Sequence, residues 1–314
     1  MTASRRVSVD RAHCSRRTAF GLLSACVVAP ARAADAPDEQ PVTMALALPG
    51  GEIEMQFTPD FSAAQRDAAT VWVRRCADAA VQYFGRFPVP QVELLLQGRT
   101  GAGVHSGVTS GEPSLHIRVR LGRDTTVDQY RADWVLVHEM AHLALPRVPR
   151  EQRWLHEGAA TYIETVARAR VGLLQPSDVW RGWMRQMPQG QPRAGDQGLD
   201  RTPTWARTYW GGATFFLLAD VKLRQRGTPA RGLQHALQGV LAAGGDYRAV
   251  WDAPRIFAAA DAALGQSTLS DMYREVKDQP VPADLATLWR DLGVDGATLR
   301  NDAPLAAVRR AILG

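Results

Sequence analysis

The sequence predicts an α+β fold, a small mixed sheet crossed by one helix and followed by a mostly helical region. Three observations lead there. Between residues 34 and 126 apolar residues alternate in short runs separated by Gly and Pro, as strands require. From Val127 onward they recur at spacings of three and four, and Pro146, Gly172, Gly227-Thr228-Pro229 and Gly265 divide the chain into successive helices. No repeat of fixed period and no low-complexity tract interrupts this order.

Residues 1–33 read as an export signal. A twin-arginine region (Arg16-Arg17) precedes an apolar run from Ala19 to Val28, and Ala31-Arg32-Ala33 offers the small residues a signal peptidase needs. The expected location is therefore periplasmic or secreted. "LSAC", Leu23 to Cys26, also fits a lipoprotein box, so a lipid anchor at Cys26 is the minor reading. This leader explains the formal charge of +5. It holds six of the 37 basic residues and one of the 32 acidic ones, leaving 31 of each, and nothing points to nucleic acid. No later segment has the ~20 consecutive apolar residues of a membrane helix. Cleavage after Ala33 leaves Cys76 as the only cysteine, so no internal disulfide is expected.

The elements follow in order. "VTMALALPGGEIEMQF" alternates on both sides of Pro49-Gly50-Gly51, a hairpin; Ser62 to about Phe84 is a long helix. "QVELLLQ" is a strand, "GRTGAGVHSGVTSGEPS" a glycine-rich loop, and "LHIRVRL" a second strand, whose position before the helices marks it as the edge that an extended peptide would join. "ADWVLVHEMAHLAL" is then an amphipathic helix ending at Pro146, and "EQRWLHEGAATYIETVARAR" follows at once with Leu155, Ala159, Tyr162 and Val166 as its apolar stripe. The predicted parts are thus the signal (1–33), a β-rich part of the catalytic domain (34–126), and the helices bearing the site with a helical C-terminal subdomain (127–314).

The chemistry is concentrated in His138-Glu139-x-x-His142. One helical turn separates the two histidines, so both imidazoles project from one face and can bind one ion, with the Glu139 carboxylate beside them. The short connection to the next helix makes the two antiparallel neighbours and brings Glu157 back as the candidate third ligand. Two imidazoles and a carboxylate suit one Zn²⁺ and leave a fourth position open. An isolated pair of histidines in an apolar helix is more simply read as packing, but a helical context and a third donor are both present here.

"HEMAH" followed by "WLHEGAATYIE" resembles the gluzincin zinc metallopeptidases, the group of thermolysin, aminopeptidase N and the glycyl aminopeptidases. The aminopeptidase branch has W-L-N-E-G-F-A-T-Y, and Trp154, Leu155, Glu157, Gly158, Ala160, Thr161 and Tyr162 match it. His156 stands for the asparagine and Ala159 for the phenylalanine. The resemblance implies a thermolysin-like sheet, His138, His142 and Glu157 on zinc, and Glu139 as general base and acid. A Y-x-x-G stretch in the same branch carries an oxyanion-stabilising tyrosine. "RTYWGGATFF" places Tyr209 three residues before Gly212, which gives Tyr209 that role. The resemblance covers about Gln91 to Val294 through these three short segments.

Two departures matter. The branch's G-x-M-E-N loop, whose glutamate meets the substrate's free amine, does not occur here, and Glu112 is the nearest candidate for that role. About one hundred residues precede His138 in the mature chain, so the large β-domain of aminopeptidase N is not expected. The expected function is an exported zinc metallopeptidase acting on a peptide or protein substrate. The alternatives are an aminopeptidase anchored by Glu112, or a non-catalytic, metal-bearing binding or scaffold protein. His105, His116 and His235 read as ordinary surface or core residues; His156, a bystander beside Glu157 that helix geometry points away from it, is one that could line the cleft or hydrogen-bond a substrate.

Overall fold

The computed structural model describes residues 41–296 and 298–314. The export-signal reading and the lipidation reading at Cys26 fall on residues 1–33, outside these.

The hairpin forms as its alternation dictates: β1 (Val42–Leu48) pairs antiparallel with β2 (Gly51–Phe57) around Pro49-Gly50, and Gly50 adopts φ 88°, a conformation only glycine takes without strain. α1 (Ala63–Phe84) starts at a capping box in which the Ser62 side chain accepts from Gln65 N–H and the Gln65 side chain from Ser62 N–H, and it stops at left-handed Gly85. β3 (Gln91–Arg99), β4 (Val104–Ser110) and β5 (His116–Gly122) complete one sheet of order β1-β2-β3-β5-β4, in which β2, β3 and β5 run parallel and the two outer strands antiparallel. Register puts Met55, Leu94 and Ile117 in one row and Phe57, Leu96 and Val119 in the next, all buried. The opposite face carries Glu52, Glu54, Glu93, Arg118 and Arg120, so helices cover only one side.

Here the edge differs from expectation. The strand predicted to be the edge is β5, which lies inside the sheet; the edge is β4, formed by residues expected to be a loop. "VHSGVTS" lacks the alternation of a half-buried strand because one flank meets the site rather than the core.

The helical region begins with α2 (Val127–Ala132) and α3 (Val135–His142). Asp133 fixes the junction between them: its carboxylate accepts the N–H of Val135 (3.0 Å) and Leu136 (3.2 Å) and the indole N–H of Trp72 on α1 (3.2 Å). α4 (Arg153–Arg170), α5 (Pro176–Gln186), α6 (Gly212–Arg226), α7 (Leu233–Ala242), α8 (Ala253–Leu264), α9 (Thr268–Val276), α10 (Leu285–Leu292) and α11 (Ala306–Leu313) follow, with a two-stranded ribbon of β6 (Val294–Asp295) and β7 (Thr298–Leu299) before the last helix. Two polar knots tie these helices together. Asp220 on α6 accepts the Tyr162 hydroxyl (2.6 Å), Arg224 Nε (2.9 Å) and the Leu233 amide (2.7 Å), joining α4, α6 and α7 with both of its carboxylate oxygens bonded. Asp200 accepts Trp154 Nε1 and the Tyr273 hydroxyl (both 2.6 Å), tying the start of α4 to α9. No helix among the described residues is long and apolar enough to cross a membrane.

Cys76 is buried on α1, and burial together with the nearby Asp133 carboxylate pushes its thiol well above the usual range. The thiol is the unreactive form. Mass mapping after iodoacetamide treatment at pH 8 should find Cys76 unmodified in the folded protein and fully alkylated after denaturation.

Candidate metal centre and cleft

α3 carries three of the predicted residues, and its placement follows from close contact with β4. A methyl group on Gly107 would lie 2.6 Å from Glu139 Cγ and 2.8 Å from Val135 Cγ1, so the strand approaches the helix to a distance only glycine permits. A second close approach positions the rest: a methyl on Gly158 of α4 would lie 2.4 Å from the Cα of Gly212 on α6. Backbone contact there sets Glu157 beside Tyr209, which sits in a π-helical turn (Arg207–Gly211) leading into α6. The sequence placed Tyr209 at a helix start; the extra residue of the π turn is what it did not show.

His138, His142 and Glu157 converge, with one donor atom from each lying within 4.8 Å of the others. Glu157 Oε2 is 3.3 Å from His138 Nε2 and 3.7 Å from His142 Nε2, while Oε1 accepts Arg153 Nε (3.1 Å) and Nη2 (3.0 Å). The arginine occupies one oxygen and leaves the other facing the imidazoles. Burial works against ionisation of Glu157, but His138, His142 and Arg153 together hold its carboxyl down to about 2. It is therefore a carboxylate at any working pH.

His156 is no bystander. Its Nε2 lies 2.5 Å from the carbonyl of Pro146, and a carbonyl only accepts, so the proton is on Nε2. Burial keeps this imidazole neutral by lowering its pKa. Its Nδ1 is then an acceptor, 3.2 Å from His142 Nδ1, which must be the donor. The consequence is a fixed tautomer of His142, with the Nε2 lone pair free to face Glu157. The asparagine-to-histidine departure in "WLHEG" was the only sequence signal for this role.

The donor set fits zinc: two imidazoles, one with its tautomer already set, and one singly available carboxylate oxygen. Three protein donors, rather than the four of a closed structural site, leave room for a further ligand. Glu139 lies beside them. Its Oε2 accepts the Thr109 hydroxyl (2.7 Å), and burial raises its pKa against that hydrogen bond. Burial thus makes this carboxylate a somewhat stronger proton acceptor than a free one. The Tyr209 ring stacks 6.3 Å from His138, and burial plus the Glu157 charge push its hydroxyl up to about 12. It remains a donor throughout the physiological range.

These groups line a cavity of about 640 Å³ whose walls are β4 from His105 to Thr109, α3, the chain from Arg147 to Glu157, Tyr209 and Tyr247. His105, read as an ordinary residue, is on the wall; His116 and His235 are not. The Tyr247 hydroxyl donates to the Thr109 carbonyl (3.1 Å), a contact with no sequence signature. Glu112 stays outside the cleft lining: its side chain is 79 % exposed and its carboxylate accepts Arg147 Nη1 at 3.2 Å. The nearest candidate for an amine anchor is thus a solvent-exposed residue at the rim, paired with an arginine. Together these groups form a cleft with three convergent metal-binding donors, a buried carboxylate and a phenol beside them, an arrangement consistent with a zinc-dependent hydrolase.

No protein-family model matches the sequence, and no curated protein matches it. Solved structures do. An aminopeptidase N family protein from Idiomarina loihiensis superposes with a TM-score of 0.56 at 13 % identity, over 81 % of this chain and 49 % of that one. An M1 zinc metallopeptidase from Deinococcus radiodurans matches at 15 % identity over 78 % of this chain and 53 % of that one, with a TM-score of 0.48. The chain thus spans about half the length of the solved structures it resembles. What it shares with the Idiomarina protein is the fold.

Two outcomes follow from this geometry. Gly107→Ala should displace Glu139 and lower turnover roughly 100-fold, the scale of a small misplacement of a reacting group, while the zinc content by metal analysis stays at that of the parent. His156→Leu should weaken zinc binding about 10- to 100-fold in a chelator competition, the usual cost of losing a ligand's partner. His156→Asn can still accept from His142 and should retain most of the affinity.

Proposed function

We propose that this chain is an exported zinc-dependent peptidase, with His138, His142 and Glu157 as metal ligands, Glu139 as general base and acid, and Tyr209 as oxyanion donor. The observation that carries this reading is the convergence of all five side chains on one cleft bordered by an open strand edge. Zinc held by the three ligands would supply the Lewis acidity that activates a water and polarises a carbonyl. The side chains do the rest. The Thr109 hydroxyl holds Glu139 Oε2 and so orients the carboxylate that takes the proton of the attacking water. The same carboxylate returns that proton to the leaving amine. Tyr209 donates to the carbonyl oxygen as it gains charge, an interaction stronger in the transition state than before it. Arg153 keeps Glu157 ionised and in place.

The β4 edge supports an extended substrate, because β4 is the outermost strand on that side of the sheet and runs beside Glu139, with the Thr109 carbonyl already taken by Tyr247. Glu112 lies exposed outside the cleft lining, away from the position an amine-anchored exopeptidase would need, which favours cuts away from the amino terminus. Export rests on residues 1–33 alone.

A mass-spectrometric cleavage profile of a complex peptide mixture tests the reading. The zinc-loaded protein should make internal cuts, and Glu139→Gln should lose them by several orders of magnitude with zinc still bound. Tyr209→Phe should retain zinc and reduce kcat about 100- to 1,000-fold, the scale of losing one oxyanion donor. Undiminished turnover by Glu139→Gln would overturn the mechanism, and stepwise loss of amino-terminal residues would restore the exopeptidase reading.

A further inference from the structure

The cleft has two chemically different ends. Along β4, Gly107 abuts Val135 and Glu139, the Thr109 hydroxyl reaches Glu139, and Gly111, just past the strand, lies against the Arg147 guanidinium, 3.6 Å from where its methyl would be. A walk of four residues, about 13 Å at ~3.3 Å each, therefore leads from the first turn of α3 across the catalytic centre to the segment beyond it.

The α3 entrance is aromatic. Trp134 is 51 % exposed and edge-on to His138 at 5.6 Å; Trp205 is 62 % exposed and stacked on Tyr209 at 5.6 Å. With the Tyr209 and His138 rings between them, the two indoles form one continuous row facing solvent. Large aromatic surface left open beside a reacting centre is surface for a ligand to cover.

The far end is cationic. Glu139 and Glu157 are the only carboxylates among the cleft-lining residues, and both belong to the catalytic centre. Arg153 is spent on Glu157. Arg147 and Arg150 remain. Arg150 has no carboxylate within 4.0 Å among the described residues, and the only one on Arg147 is that of solvent-exposed Glu112, a surface pair worth at most ~1 kcal/mol and so readily exchanged. Arg147 Nε is moreover buried without an acceptor, an unusual state for a guanidinium nitrogen.

We infer that the cleft selects peptides with an aromatic or large apolar side chain on one side of the cut and an acidic side chain two to four residues away on the other, the rings of Trp134 and Trp205 taking the first and Arg147 with Arg150 the second. The inference rests on the peptidase reading above and adds its substrate class. Its chemistry is simple: a guanidinium pair returns to a carboxylate the hydrogen bonds it loses on leaving water, and gives an amide far less.

The test uses decapeptides blocked at both ends, each with one Phe and one Glu two to four residues apart, in both orders, with Gln counterparts. Binding is measured by calorimetry to zinc-loaded Glu139→Gln, and cleavage by the zinc-loaded parent is followed in parallel. One order of Phe and Glu should bind about tenfold or more tightly than its Gln counterpart, as a charged hydrogen bond allows, and the ratio should shrink in about 0.5 M NaCl. Adding Arg147→Gln and Arg150→Gln should bring the ratio close to one, and Arg150→Glu should lower the affinity for the Glu peptide below that for its Gln counterpart. Equal affinities for Glu and Gln peptides, an undiminished ratio in the double variant, or no binding up to about 1 mM would overturn the inference. The two readings fail separately. Cleavage without preference removes the specificity and leaves the peptidase, whereas preferential binding without cleavage by the parent removes the peptidase and leaves the selectivity.

Discussion

The contact on which the site depends is a steric one, the meeting of Gly158 and Gly212 where α4 crosses α6. Helix axes that carry ordinary side chains at a crossing stand about 8–10 Å apart; a glycine on each side lets the backbones touch. Glu157 precedes one of these glycines and Tyr209 lies three residues before the other, so their distance is set by main chain rather than by flexible side chains. The glycines in the two motifs are thus part of the same geometry as the Glu157 carboxylate and the Tyr209 phenol. Gly107 plays the matching role between β4 and α3, and Asp133 fixes the start of α3 against α1. Three helices and one strand are thus held against one another by four small features.

Around this frame each reactive side chain has one partner that restricts it. Arg153 takes one oxygen of Glu157, Thr109 one oxygen of Glu139, and His156 the Nδ1 proton of His142. In each case the partner holds one atom of the group and so fixes the orientation of the rest. The arrangement lowers the reorganisation needed when a ligand or a proton arrives, which is how pre-positioned groups contribute more than the same groups in water.

What could be read from the sequence was whatever had a period or a fixed spacing. The hairpin, α1, β3 and β5 follow from alternation and capping residues, and His138, Glu139, His142 and Glu157 from one-turn spacing and a short connection between helices. β4 escaped because a strand whose neighbours are a sheet on one side and a reacting cleft on the other needs small and polar residues, and so looks like a loop. Misreading β4 moved the edge to β5. Thr109, Tyr247, Arg147 and Arg150 were equally invisible, since they reach the site through tertiary contacts between segments up to 138 residues apart. His156 shows the opposite error, in that helical periodicity turned it away from Glu157, which is correct, but towards His142, which no single-helix argument reveals.

Tyr247 has a consequence for how copies of this chain behave towards one another. An open strand edge is a template on which a second molecule can extend the sheet, and long flat edges invite such growth. By donating to the Thr109 carbonyl, Tyr247 removes one of the acceptors a neighbouring strand would need, near the end of a seven-residue strand whose register already shifts between Val104 and Ser106. Growth of the sheet by a second copy of β4 would therefore lose a pairing site at Thr109.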